Sequence, residues 1–185
     1  MAITDEERRE VARWAADSAE RVLPLFEAIA PTDPRPREAV AIARAFAAGE
    51  RRTRRLFQVA MAAHRAGNEV GDPVGLAAAR AASLAAANAN LHGEITIGTL
   101  GHILGAATHA ALARELAAAA GTAGGTAGDA ARDATGGGSA EAEIMWAVEH
   151  ASPAVRALVR RVPPSQRGRR RLQELEHELD LALRA

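Results

Sequence analysis

Six histidines offer the most versatile chemistry in this chain: His64, His92, His102, His109, His150 and His177. His102 and His109 stand seven residues apart, two helical turns, so a helix would present them on one face. With His64, or with His92 and Glu94 nearby, they could hold a metal ion or a small ligand. Helical metal ligands usually stand three or four apart, and no His-Glu-x-x-His pattern occurs. The expected reading is histidines that cap, hydrogen-bond or face water. A metal- or ligand-binding protein centred on His64, His102 and His109 is an alternative.

Acid–base catalysis needs carboxylates that converge in a cleft. Asp17, Glu20 and Glu27 lie close in sequence, but Asp17 and Glu20 stand four and one residues before Arg21. That neighbourhood predicts surface ion pairs. No nucleophile elbow, phosphate-binding loop or dinucleotide fingerprint is present. Gly98, Gly101 and Gly105 sit in helix-forming sequence, where they offer a smooth packing side. These observations predict no catalytic residue, no cofactor and no metal, and hence a protein that is not an enzyme.

Two arginine-bearing segments remain. Arg160, Arg161, Arg167, Arg169, Arg170 and Arg171 form a basic run. Arginine neutralises phosphate, so a nucleic-acid-associated protein using the Arg160–Arg171 region is a second alternative. No aromatic side chain accompanies the run for base stacking, and Glu174, Glu176 and Glu178 follow it as internal partners. In Asp33-Pro34-Arg35-Pro36-Arg37, two prolines stiffen the chain and hold Arg35 and Arg37 with little freedom. Their forks suit a carboxylate. The expected partner is internal, Asp17, Glu20 or Glu27, which makes the segment a clamp; an acidic patch on a bound protein is the other possibility.

The elements that must position these groups all read as helices. Thr4 before Asp5, Glu6 and Glu7 starts the first. Val11, Trp14, Ala15, Ser18, Val22, Leu25, Phe26 and Ile29 line one face, and Pro24 predicts a kink or break. After the Pro31–Pro36 connection, Ala39, Ile42, Ala43 and Phe46 face inward and Gly49 stops the second helix. A third runs from about Arg51 to Val70, with Leu56, Val59, Ala60, Ala63 and Gly67 inward. Asp72-Pro73 opens an alanine-rich fourth, predicted to be central because small side chains let helix axes approach. A fifth spans about Thr96–Ala119. Gly121–Ser139 has no large apolar residue and predicts a flexible Gly/Ala/Thr loop. A sixth begins at Ala140, and a seventh is capped by Ser152-Pro153. The last spans Ser165–Ala185, with Leu172, Leu175, Leu179 and Leu183 on one stripe. The expected fold is all-α: a single-domain bundle of seven to eight helices over residues 1–185, the last an amphipathic appendage.

Composition agrees. The 185 residues hold no cysteine and no tyrosine, and alanine and leucine carry most of the apolar share of 48%. Alanine and leucine favour helix. Every basic side chain is arginine, and formal charge is zero. Residues 72–150 are acidic and residues 151–185 basic. The acidic N-terminus has no apolar core of a signal peptide. Ile95–Ala113 is about long enough to span a bilayer, but its histidines predict a buried core helix instead. A cytoplasmic location is expected.

Several segments together resemble the Imm-5-like immunity protein family of bacteria. They are Trp14-Ala15-Ala16-Asp17-Ser18-Ala19-Glu20-Arg21-Val22-Leu23-Pro24-Leu25-Phe26-Glu27 and Asp33-Pro34-Arg35-Pro36-Arg37-Glu38-Ala39. Ala62-Ala63-His64, Gly71-Asp72-Pro73 and His102-Ile103-Leu104-Gly105-Ala106-Ala107 extend the match, and the Trp146 region follows it loosely. Ser18 stands where the resemblance leads one to expect cysteine. The resemblance implies a non-enzymatic protein that binds a cognate toxin and blocks it. Asp17, Glu20, Arg21, Asp33, Arg35, Arg37 and His64 are then the candidates for partner binding or structural clamping.

Overall fold

The structure, a computed structural model, describes residues 3–91, 95–123 and 139–185. Its described residues form nine α-helices and no strand. In chain order they are α1 (Asp5–Glu20), α2 (Leu23–Ile29), α3 (Arg35–Ala47), α4 (Arg54–Glu69), α5 (Pro73–Ala87), α6 (Ile97–Ala123), α7 (Ala140–Glu149), α8 (Pro153–Arg161) and α9 (Arg171–Arg184). A 3₁₀ turn, Asn88–Asn90, extends α5.

The caps are the ones their residue types dictate. Thr4 and Glu7 close a reciprocal capping box, satisfying two backbone donors at the start of α1. Asp72 accepts from the Gly75 N–H at 2.8 Å, with Pro73 in the first turn of α5. Ser139 and Ser152 cap α7 and α8 in the same way. Pro24 breaks the first amphipathic pattern outright: α1 ends at Glu20 and α2 takes Pro24 into its first turn, where no donor is needed. Gly49 (φ 118°) and Gly71 (φ 68°) end α3 and α4 in the left-handed region that favours glycine.

Three boundaries differ from expectation. α4 starts at Arg54, behind Thr53, so Arg51 and Arg52 precede it. α6 runs on to Ala123, so the predicted loop is shortened at its start; its remainder, 124–138, lies outside the described residues. α9 begins at Arg171 rather than Ser165. Ser165 is instead tied to the middle of α9: its N–H and its hydroxyl both donate to Asp180, at 2.8 and 2.9 Å.

Helix α5 is central. It packs against α1, α2, α3, α4 and α6, and Ala77, Ala78, Ala79, Ala81, Ala82, Ala85 and Ala86 are all buried. The close approach is visible at Gly67 of α4, where a Cβ would stand 3.2 Å from the Ala79 Cβ and 3.3 Å from the Leu76 carbonyl oxygen. A Cβ on Gly105 of α6 would lie 2.8 Å from Leu84. These alanines form one core with Val22, Leu23 and Phe26. A second core joins Val11 and Trp14 of α1, Leu100, Ile103 and Leu104 of α6, and the buried faces of α7, α8 and α9. Helix α6 therefore serves two cores from opposite sides, with Ala106, Ala110 and Ala113 in the first and Ile103, Ala107 and Ala111 in the second. That is why Ile95–Ala113 shows no polar stripe. Among the described residues, no helix is long and apolar enough to cross a membrane.

Trp14, Val22 and Phe26 are all buried, as the α1–α2 pattern predicts. Ser18 is buried too, and its hydroxyl donates back to the Trp14 carbonyl at 3.0 Å, so the polar atom is satisfied within the helix.

Candidate functional site

The candidate side chains fall into three groups. Asp17 and Glu20 lie on the exposed side of α1, where both pair with Arg44 of α3, Asp17 at 2.8 Å. They do not pair with Arg21. Helix α1 ends at Glu20, and the Arg21 side chain turns to α7 instead. Glu27 of α2 receives a side-on fork from Arg37, Nε at 2.6 Å and Nη2 at 2.7 Å. The Arg37 side chain is nonetheless 63% exposed, so this contact between α2 and α3 is a surface one. Arg35 reaches no carboxylate of α1 or α2. It donates to Asp33 and bridges to Glu69 of α4 at 2.7 Å. Its two carboxylates raise the affinity of the guanidinium for its proton, and Arg35 in turn holds Asp33 below the usual carboxylate range.

The second group was not visible in the sequence. Glu143 of α7 is almost fully buried. Arg21 donates to it twice, Nε at 2.8 Å and Nη2 at 2.9 Å, and Arg114 of α6 donates once at 3.1 Å. Arg114 also donates to the Arg21 carbonyl at 2.6 Å. The Arg21 guanidinium lies over the Trp146 ring, 4.4 Å from its centre, and Trp146 stacks on His150. One carboxylate thus holds two arginines and ties the end of α1 to α6 and α7.

His64 anchors the third group. It sits on α4 with Asn68 one turn on, and Arg80 of α5 reaches both. Arg80 Nη1 donates to His64 Nδ1 at 2.5 Å, and Nη2 donates to Asn68 Oδ1 at 2.9 Å. His64 must therefore be neutral at Nδ1, and burial first, then Arg80 and Arg65, lower its proton affinity. His109 of α6 lies close enough for the same Arg80 charge to act on it. His102, on the same helix, is exposed, and no hydrogen bond or ion pair joins it to the pair. His92 and Glu94 lie outside the described residues. Among the described residues, no group of three or more His, Asp or Glu side chains is placed to hold a metal ion.

Burial, reinforced by Arg80, pushes the His109 imidazole down to about 4 from its ordinary 6.5. The unfolded chain then takes up a proton that the folded chain refuses. Stability from this source is intact above pH 6.5 and is lost as the pH falls from there toward 4. We expect His109 to lower the unfolding free energy by on the order of 2 kcal/mol across that window, with His64 adding in the same direction. Urea titrations of the wild type and of His109→Gln at pH 7, 6, 5 and 4 should show a shallower loss in the variant. Parallel curves would overturn the assignment.

The basic run is occupied only in part: Arg167, Arg169 and Arg170 stand exposed, and no ion pair among the described residues involves them. Arg161 pairs with Glu7 of α1. Arg171 pairs with Glu115 of α6 at 2.8 Å and with Glu174 and Glu178 of its own helix. Ser165, His177 and Asp180 also meet, but the hydroxyl stands between the imidazole and the acid. A serine nucleophile needs the imidazole in that middle place, so the trio fastens the Pro163–Ser165 segment to α9. Arg51, Arg52, Arg54 and Arg55 likewise stand exposed at the start of α4, and no ion pair among the described residues involves them. Phe57, 59% exposed, follows on the same helix. Beside them a groove of about 410 Å³ opens between α3 and α4, with Ile42, Phe46, Arg51, Arg55 and Val59 on its walls.

A family model described as Imm-5 like putative immunity protein matches residues 1–135. No curated protein and no solved structure matches the chain. The matched span takes in helices α1–α6 and leaves α7–α9 beyond it. The chain belongs to the Imm-5 like family.

Proposed function

From that membership, we propose that the chain is an immunity protein that binds a cognate bacterial toxin and blocks it, with no chemistry of its own. The family match over residues 1–135 carries this reading. The proposed place of action is the cytoplasm, which suits a cysteine-free chain.

The surface at the start of α4 supports a protein partner. Arginine and aromatic side chains are the types that dominate binding energy at interfaces. Four unpaired arginines beside Phe57 and the α3–α4 groove offer both, and their charge would steer an acidic partner into place. In this reading Asp17, Glu20, Asp33, Arg35 and Arg37 act as clamps, because each already has a carboxylate or guanidinium partner.

The test is to mix the purified chain with the product of a toxin gene adjacent to its own gene, and to express the two together. We expect a stable complex and rescue of growth. Phe57→Ala should weaken binding about tenfold or more. Arg51→Glu with Arg54→Glu should slow association and reduce its dependence on salt. No complex and no protection would overturn the immunity reading. A complex indifferent to these substitutions would move the interface elsewhere.

A further inference from the structure

We propose that Arg80, His64, Asn68 and His109 form a binding site for a small oxyanion, a carboxylate or a phosphate, around α5, which packs against both α4 and α6. The inference does not rest on the toxin reading.

The observation that carries it is the company Arg80 keeps. Most other half-buried or buried guanidiniums find a full negative charge: Arg21 and Arg114 at Glu143, Arg35 at Asp33 and Glu69, Arg171 at Glu115. Arg9 and Arg156 find backbone carbonyls. Arg80 finds only an imidazole nitrogen and an amide oxygen, both neutral. A half-buried cation without a counter-charge is costly to desolvate. The cost shows in the guanidinium itself, whose proton affinity is lowered by burial, with no acid acting to raise it.

A second observation points the same way. His109 Nδ1 is buried and has no hydrogen-bond partner. A sealed polar atom without a partner is expensive and rare in a folded protein. Among the groups that act on this cluster, α4 contributes Arg65 and α5 contributes Arg80; no carboxylate from α4, α5 or α6 acts on it. The local charge is positive, uncompensated and partly open to solvent at Asn68.

The geometry fits an oxyanion better than a metal. His64 spends its Nδ1 lone pair on Arg80, and a guanidinium beside an imidazole repels a cation. Arg80 has five N–H donors and spends two of them on His64 and Asn68. The remainder, in a planar fork fixed by those two contacts, are available to a carboxylate or phosphate. Neutral histidines then add donors without needing a proton from solution.

The test uses histidine side-chain NMR of the full chain at pH 7 and constant ionic strength. Inorganic phosphate and acetate are titrated separately against sodium chloride. We expect saturable shifts at His64 and His109 with a Kd of about 1–10 mM, and none at the exposed His102 and His150. Both imidazoles should also titrate at higher pH with the anion bound. A response to phosphate alone marks a phosphorylated ligand; an equal or larger response to acetate marks a carboxylate. Arg80→Gln should abolish the response. Arg80→Lys keeps the charge but not the fork and should weaken it about tenfold at unchanged melting temperature. Absence of saturation with either anion, equal shifts at every histidine, or a full response in folded Arg80→Gln would each overturn the proposal.

Discussion

Replacing Glu143 with alanine is expected to lower the unfolding free energy by about 3–5 kcal/mol, the range for breaking a buried ion pair from one side. The carboxylate is only 3% exposed, and the Arg114 side chain it serves is 6% exposed. An arginine cannot shed its charge. Without Glu143, Arg114 keeps one carbonyl and a stranded positive charge, and Arg21 keeps only the face of Trp146. Urea denaturation measures the loss directly. A drop below about 1 kcal/mol would mean that water reaches the site and that the cluster is a surface pair. A triple variant, Arg21→Met, Arg114→Met and Glu143→Leu, removes all three charges together and should recover most of the loss, since apolar replacement of a whole buried cluster is often neutral or better.

Trp14→Ala should cost a similar amount, about 3–5 kcal/mol, for a different reason. The indole is 3% exposed and fills the second core between α1 and α7. Its Nε1 also donates to the Ala147 carbonyl at 2.8 Å. Trp14→Phe separates the two contributions: it keeps much of the packing and leaves that carbonyl short of a donor, for about 1–3 kcal/mol. An unchanged melting temperature in Trp14→Ala would remove Trp14 from the inward face of α1. Because Trp14–Ala147 and Arg21–Glu143 both fasten α1 to α7, the double variant Trp14→Ala with Glu143→Ala should fall short of additivity.

Much of the fold was legible because its signals are local. Thr4, Asp72-Pro73 and Ser152-Pro153 are caps whose chemistry is complete within four residues. Pro24 could be placed as a break for the same reason. The start of α9 could not, because Ser165 is held by Asp180, fifteen residues on. Glu143 escaped notice because a carboxylate in the first turn of a short helix reads as a solvated dipole partner. Only folding brings Arg21 and Arg114, from two other helices, around it. Asp17 and Glu20 were legible as ion-pairing residues, but their partner Arg44 lies on the next long helix rather than on their own. The histidines show the same limit. Spacing alone joined His102 to His109, yet the packing of α6 exposes the first and brings the second within reach of the Arg80 charge.

The alanine-lined approach of α5 to its neighbours bears on how this protein tolerates inheritance. A core of leucines fails by losing methyl groups, and a cavity is the usual lesion. Here Ala78, Ala79, Ala81 and Ala82 are fully buried and have almost nothing to lose. A single-base change in an alanine codon yields Val, Thr, Ser, Pro, Asp, Glu or Gly, and all but glycine are larger. Against neighbours already as near as Gly67 stands to Ala79, such changes crowd the helix pair, and overpacking costs about 1–3 kcal/mol even for apolar additions. Random drift along α5 therefore pushes in one direction, toward helices forced apart. Variants that survive there should carry second changes that shrink the facing residue, leaving paired size exchanges between α4, α5 and α6 as the trace of descent.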